Sequence, residues 1–274
     1  MRRLVHLSDL HFGRARPELL TPLVDKINAL APDLVAISGD LTQRARRSQF
    51  REARAFLDQI QAPVLVVPGN HDVPLGNLLG RLIWPWRHYK RWISKNLNPQ
   101  FADDELLVQG VNTVNVLVHQ SGRFSARALA RVELAFADTK GRRTRIVVAH
   151  HPLEHGPDER KKPMRGAERA LNELALLKTD VVLSGHLHSW RAAPFAKKQG
   201  RAGVLQVHAG TGLSTRQRGS TNDFNLLQIE RGVIDVTRYA VPGGGSAFAA
   251  DETLRFVIRG DSWVADQDAG GPSE

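Results

Sequence analysis

Short runs of aliphatic and β-branched residues alternate along the chain with longer stretches in which apolar positions recur every three or four residues. Residues 3–7, 34–38, 64–67, 105–109, 113–118, 145–149 and 181–184 read as strands. Residues 17–30, 48–60, 126–137 and 166–177 carry helical period, and Ser125 is a fitting N-cap for the third helix. This alternation predicts an α/β protein with crossover helices. After His188 the texture changes. Residues 204–208, 225–230 and 233–240 read as strands with no helix between them, and Arg231-Gly232 marks a hairpin turn. They predict a second sheet packed on the first, so that 1–240 forms one domain. Beyond it the expectation is a flexible GGGS linker, an edge strand at 254–258 and disorder from about Ala265.

Residues 73–102 stand apart as a basic, aromatic helical insertion. They contain no acidic residue, yet carry Arg81, Arg87, Lys90, Arg91 and Lys95 among Trp84, Trp86, Tyr89 and Trp92. Leu79, Leu82, Ile83, Trp86 and Ile93 lie near helical spacing, and Pro85 kinks or splits such a helix. The segment reads as a lid, as a membrane contact, as a platform for single-stranded nucleic acid, or as plain packing with tryptophans inward.

An apolar fraction of 42% and a charged fraction of 24% are those of a globular domain that buries a full core. Cysteine is absent, which excludes disulfides, thiolate metal sites and cysteine nucleophiles. Any metal is therefore held by imidazole, carboxylate or amide oxygen. The apolar run after Arg3 is too short for a signal peptide, and no stretch is long enough to cross a bilayer, so a cytoplasmic location is expected. The net charge of +10 points to an anionic partner such as a phosphate ester, a nucleic acid or a membrane surface, or simply to an arginine-rich solvated surface. No obligatory protein partner is evident.

Five short motifs each follow a predicted strand: Asp9-Leu10-His11, Gly39-Asp40, Gly69-Asn70-His71-Asp72, His150-His151-Pro152 and Gly185-His186-Leu187-His188. In an α/β sheet the carboxyl ends of the strands share one edge, so residues far apart in sequence converge there. Taken singly, D-x-H reads as a capping aspartate beside a surface histidine, and G-N-H-D as a turn. Taken together, they supply a carboxylate-, amide- and imidazole-rich cluster. Two divalent ions roughly 3.5–4 Å apart clamp both the attacking and the leaving oxygen of a phosphoryl displacement. These ligand types suit first-row ions such as Mn, Fe, Co, Ni or Zn better than Ca or Mg.

Over residues 4–188 the set D-x-H, G-D, G-N-H-D, H and G-H-x-H resembles the calcineurin-like metallophosphoesterase superfamily. The short N-terminus, the G-H-L-H ending and the stretch Ala209–Arg216 are most similar to its bacterial cyclic-nucleotide-phosphodiesterase-type members. The resemblance implies a four-layer α/β/β/α sandwich with two mixed sheets flanked by helices. It also implies a dinuclear phosphoesterase cleaving a phosphodiester or phosphomonoester by in-line attack of a metal-bridging hydroxide. Asp9, His11 and His188 would hold one metal; Asn70, His150 and His186 the other; Asp40 would bridge. His150 matches the family position better than His151, which supports the turn before Pro152. His71 would contact the phosphate, with Asp72 orienting its imidazole. Arg216 and Arg218 are candidate substrate contacts, or surface arginines. His208 reads as a second-layer group or a core histidine, and His6 as a strand residue without a role. A UDP-diacylglucosamine-type lipid diphosphate, a single-stranded nucleic acid as nuclease substrate, and a non-catalytic metal-binding scaffold are the alternative readings.

Overall fold

The computed structural model of the chain describes residues 1–118, 120–137, 143–155, 163–195, 203–216, 221–243 and 245–266. The strands are β1 (Arg2–Leu7), β2 (Leu34–Ile37), β3 (Val64–Val66), β4 (Gln100–Ala102), β5 (Leu106–Val111), β6 (Thr144–Ala149) and β7 (Val181–Ser184). They continue as β8 (Arg191–Pro194), β9 (Leu205–His208), β10 (Asp223–Glu230), β11 (Val233–Ala240), β12 (Ala249–Arg259) and β13 (Ser262–Ala265). The helices are α1 (Leu20–Ala29), α2 (Arg47–Leu57), α3 (Leu78–Ile83), α4 (Arg87–Trp92), α5 (Ala126–Phe136) and α6 (Ala167–Leu176).

Two mixed sheets result. One runs β13-β12-β11-β10-β1-β2-β3, with β1, β2 and β3 parallel; the other runs β4-β5-β6-β7-β9-β8, with β5, β6, β7 and β9 parallel. Successive side chains on a strand point to opposite faces, and here both faces are covered. Val5 and Leu7 join a cluster with Leu23 and Ile27 of α1 and Phe50 and Phe56 of α2, whereas Leu4 enters a cluster between the sheets. In the second sheet Ile146 and Val148 face that shared interior, while Val147 packs under Val132 of α5 and Leu174 of α6. Three apolar layers between four structural ones make the α/β/β/α sandwich. They also explain why the inner strands read as unbroken apolar runs.

Four expectations change. Residues 113–118 form turns and no strand: the side chains of Asn112 and Asn115 accept from the amides of Val114 and Leu117, so local Asx bonds displace a ladder. The last apolar segment is not an edge, because β12 pairs with β11 on one side and β13 on the other. Strand β8 was not foreseen, and its R-A-A-P sequence explains why: weak strand formers suffice at an edge, where Pro194 is tolerated. The 73–102 segment is split at Pro85 into two short helices whose faces differ. Under α4, Tyr89 is buried with its hydroxyl donating to Val66 O at 3.0 Å, and Trp86 and Trp92 pack on the core. In α3 it is Arg81 that turns inward, donating to the carbonyls of Val116, Val118 and Pro74. Leu78, Leu79, Ile83 and Trp84 are consequently left outward, Leu79 being 71% exposed. The tail expected to be disordered lies, from residue 267 on, outside the described residues.

Candidate metal centre

The carboxyl ends of β1, β2, β3, β6 and β7 carry Asp9 and His11, Asp40, Asn70 and His71, His150, and His186 and His188 respectively. Hydrogen bonds between side chains and backbone stitch the two sheets together at this edge. The amide of His186 donates to Asp9 Oδ2 at 2.9 Å, and His150 Nδ1 lies 2.8 Å from Ser38 O. The structure thus brings all seven residues named from the sequence into one cluster, six of them buried and His186 half-buried.

Each aspartate has one oxygen anchored and the other aimed at imidazoles. Asp9 Oδ2 accepts from Ser8 Oγ at 2.6 Å and from His186 N. Its Oδ1, fully buried, has no hydrogen-bond partner among the described residues and lies 3.2 Å from His188 Nε2 and 3.4 Å from His11 Nε2. Asp40 Oδ1 accepts from His71 N at 2.8 Å, while Oδ2 sits between His150 Nε2 at 3.5 Å and His11 Nε2 at 3.8 Å. Asn70 Oδ1 and His186 Nδ1 lie 3.1 and 3.3 Å from His150 Nε2. Ligands held about 2.0–2.2 Å from one ion sit roughly 3 Å from one another, so these separations fit coordination. A buried carboxylate oxygen without a donor, facing imidazole nitrogens, is an arrangement that a divalent cation satisfies.

Tautomers point the same way. His150 Nδ1 donates to Ser38 O and His188 Nδ1 to Arg216 O at 3.0 Å, which leaves the Nε2 lone pair of each ring facing the cluster. Burial pushes both aspartates up, but the neighbouring imidazoles outweigh it. His188 and His11 hold Asp9 well below the ordinary carboxylate range, and His150, His71 and His11 hold Asp40 down.

The backbone is bent to achieve this. Among the described residues eight non-glycines have positive φ, and five of them are Asp9, His11, Asp40, His186 and His188. Such conformations cost about 1–3 kcal/mol each and persist where the surroundings over-determine them. Gly185 lets the two sheets meet: a Cβ there would lie 1.7 Å from Ser8 Oγ and 2.5 Å from Asp9 Oδ2. At Gly69 a Cβ would lie 2.1 Å from Asp40 Oδ1.

His71 packs edge-on against His11, with ring centroids 4.9 Å apart, and its Nδ1 lies 2.9 Å from Gln43 O. Burial lowers its pKa, against the pull of Asp40. The expected pairing of Asp72 with this imidazole is replaced by another role. Both Asp72 oxygens are taken up by the amides of Leu41, Thr42 and Gly69 and by Thr42 Oγ1, so Asp72 ties the loop after β2 to the loop after β3. Burial and the nearby Asp40 charge push its carboxyl up to about 6. His151 turns to Thr113, with Nδ1 2.8 Å from Oγ1, and its ring lies tilted against His186 with centroids 4.7 Å apart. His150, His151 and His186 thus also form a close trio.

Two cavities flank the cluster. One, of about 520 Å³, is lined by His71, Gln43, Arg14, Arg44, Arg46 and Arg216. The other, of about 290 Å³, is lined by His186, His151, His155, Met164 and Gly122; Gln120 borders both. Arg216 therefore lies where a substrate contact would be, and Arg218 lies outside the described residues. Sequence reading overlooked Arg14, Arg44 and Arg46. Their signal was position, since they lie within a few residues after the D-L-H and G-D motifs.

Comparison with known proteins agrees with this architecture. The calcineurin-like phosphoesterase family model matches residues 2–190. A glycerophosphodiester phosphodiesterase, GpdQ, of Enterobacter lignolyticus is 26% identical over 170 residues, which are 56% of this chain and only 58% of that protein. A probable cyclic nucleotide phosphodiesterase of Vesicomyosocius okutanii is 24% identical over 204 residues, 71% of this chain and 81% of its own. The fold matches a purple acid phosphatase from yellow lupin seeds with TM-score 0.69 at 16% identity, over 93% of this chain and 53% of that one. No helix among the described residues is long and apolar enough to cross a membrane. The chain belongs to the calcineurin-like phosphoesterase family.

Proposed function

We propose that the chain is a dinuclear phosphodiesterase. One observation carries this reading: Asp40 Oδ2 lies between two ligand groups, Asp9–His11–His188 and Asn70–His150–His186. These residues would hold two first-row divalent cations, which would supply Lewis acidity toward phosphoryl oxygen and toward a water molecule. The chain's own contribution is positioning. Asp9 and Asp40 are fixed by donors on one oxygen each, and His150 and His188 by carbonyls on Nδ1. Asp72 holds the loops carrying Asp40 and Asn70 in register. His71 sits at the rim, where its Nε2 serves a phosphoryl or leaving oxygen. A diester is favoured over a monoester because there is a cavity on each side of the cluster, one for each substituent. The test is hydrolysis of bis(4-nitrophenyl) phosphate against 4-nitrophenyl phosphate by protein reconstituted with Mn or Zn, with bound metal counted. Two ions per chain and a diester preference are expected; one ion, or none with activity intact, rejects the dinuclear reading. Metal bound without hydrolysis of any ester favours the scaffold alternative.

A second reading concerns where the substrate resides. The outward Leu78, Leu79, Ile83 and Trp84 adjoin exposed Leu117, and no acidic residue occurs in 73–102. This apolar face with a cationic border suits an anionic lipid surface, as a lipid diphosphate substrate would require. Inward packing of Trp86, Tyr89 and Trp92 leaves Trp84 as the outward ring among these four, which favours the lipid reading over a platform of several stacked bases. Sedimentation with anionic liposomes, lost in L79S/W84S, is the expected outcome; the absence of sedimentation of the native chain overturns it.

A further inference from the structure

The cavity beside His71 carries more positive charge than one scissile phosphate needs. Arg14, Arg44, Arg46 and Arg216 line it, and no carboxylate does. Arg2, Arg16, Arg54 and Arg238 each pair with an aspartate or glutamate. Among the described residues the four cavity arginines have no such partner.

The cavity wall is built. Gln49 Oε1 accepts from the amides of Arg44 at 2.9 Å and Arg46 at 3.3 Å, and Thr42 Oγ1 accepts from Ala45 N at 3.1 Å. Ala45 is held at φ 51° and buried, which turns Arg44 and Arg46 outward on either side of it. Gly13, at φ +95°, lets the loop after His11 lie on Gln49, where a Cβ would come within 2.0 Å of Nε2. Arg14 O accepts from Thr215 N at 2.9 Å, which brings the loop of Arg216 alongside. Three loops thus hold four like charges around one space, an arrangement that a bound anion stabilises and that arginine forks match bidentately.

We propose that this cavity takes a second phosphate group of the substrate, so that the chain prefers diphosphate diesters, or phosphodiesters bearing a further phosphate, over singly charged diesters. The inference rests on the phosphoesterase reading and deepens it. With a diphosphate diester, the oxygen of water forms the new bond to one phosphorus and the bridging P–O bond breaks. The bonding pair leaves with the bridging oxygen, which takes up one of the protons of water, and two monophosphate esters result.

The test compares kcat/KM for thymidine 5′-(4-nitrophenyl phosphate) with and without a 3′-phosphate, which keeps the scissile bond identical. ADP-ribose is the diphosphate probe. The added phosphate is expected to raise kcat/KM by at least about tenfold. In R44A/R46A that ratio falls to within about twofold of unity, while R44K/R46K keeps part of it. An effect confined to ADP-ribose places the second phosphate next to the scissile one; an effect confined to the 3′-phosphate places it farther away. Either supports the cavity. Calorimetric titration of metal-free protein with pyrophosphate gives a readout independent of turnover, with binding weakened at least about tenfold in R44A/R46A. If no aryl diester is hydrolysed, the enzymatic reading fails while the titration still tests the cavity. A ratio equal in native and R44A/R46A protein, or pyrophosphate binding unchanged by the substitutions, overturns the inference.

Discussion

Buried histidines occur in two regions of this molecule, and their chemistry diverges although their burial does not. Within strands β1 and β9, His6 and His208 are as inaccessible as His11 and His150 beyond the strand ends. His6 is spent on Ser38 Oγ at 2.9 Å and the Asn225 amide at 3.4 Å, and burial pushes both His6 and His208 down to about 3. They are neutral packing groups. At the strand ends the rings instead face carboxylate oxygens, with Nδ1 of His150 and His188 anchored on carbonyls. What separates the candidate metal centre from the core histidines is thus a facing carboxylate oxygen that lacks its own donor, together with a fixed tautomer. Burial alone decides nothing.

The comparison breaks most directly at Asp40. Removing its charge in D40N is expected to lower kcat/KM by at least about 10³-fold and to reduce bound metal, since even groups that only orient metal ligands are worth about 10–100-fold. Full activity and metal content in D40N would return the cluster to the status of His6 and His208. The next largest effect is expected at His71, which we propose contacts the substrate and not the ions. H71A is expected to lose about 10²-fold or more in kcat/KM with metal content retained. Equal loss of metal and activity would make His71 a ligand in its own right.

The convergence of the candidate ligands was legible because each of their motifs follows a strand, and inner strands with both faces covered are the plainest pattern a sequence offers. What escaped depends on long-range geometry. Asp72 looked like a partner for its neighbour His71, but the positive φ at Asp40 brings the amides of Leu41 and Thr42 to its carboxylate. The outward leucines of α3 invert the expected face because Arg81 finds three carbonyls on residues 74 and 116–118, a contact that helical spacing does not encode. Arg44 and Arg46 escaped because their convergence depends on the wall that Thr42 and Gln49 shape around Ala45. The 113–118 run fooled the alternation pattern because two asparagines outcompete a ladder locally.

The same comparison can be sharpened with carboxylates. Asp223 is as buried as Asp9, but its oxygens are taken by Gly210 N at 2.7 Å and by Arg238 at 2.8 Å, with no imidazole cluster around it. Burial outweighs the Arg238 charge and pushes its pKa from 3.8 up to about 6. A carboxyl raised in the folded state binds its proton more tightly there than in the unfolded chain. It therefore contributes stability below about pH 4 that is lost as pH rises through about 6. The shift corresponds to roughly 3 kcal/mol. Stability of the native chain relative to D223N is thus expected to fall by that order between pH 4 and pH 7.5, measured by denaturant unfolding at each pH. A difference that stays flat or rises would mean that the ion pair prevails and that Asp223 behaves like Asp9.

The smallest effect is expected at His208, which tests the other half of the contrast. Its Nε2 is buried without a hydrogen-bond partner among the described residues, so the folded state already bears the desolvation of that nitrogen. Replacing a buried unsatisfied polar group by an apolar one of similar size is close to neutral, because lost contacts and relieved desolvation offset each other. H208L should therefore shift unfolding free energy by no more than about 1 kcal/mol and leave kcat/KM and bound metal within about twofold. A tenfold loss of activity with intact stability would show that His208 reaches the centre through Ser184, whose amide-linked strand pairs with it in register. In that case the line between core and site histidines would have to be drawn by connectivity along β7 and β9, and the facing carboxylate oxygen would no longer suffice as the criterion.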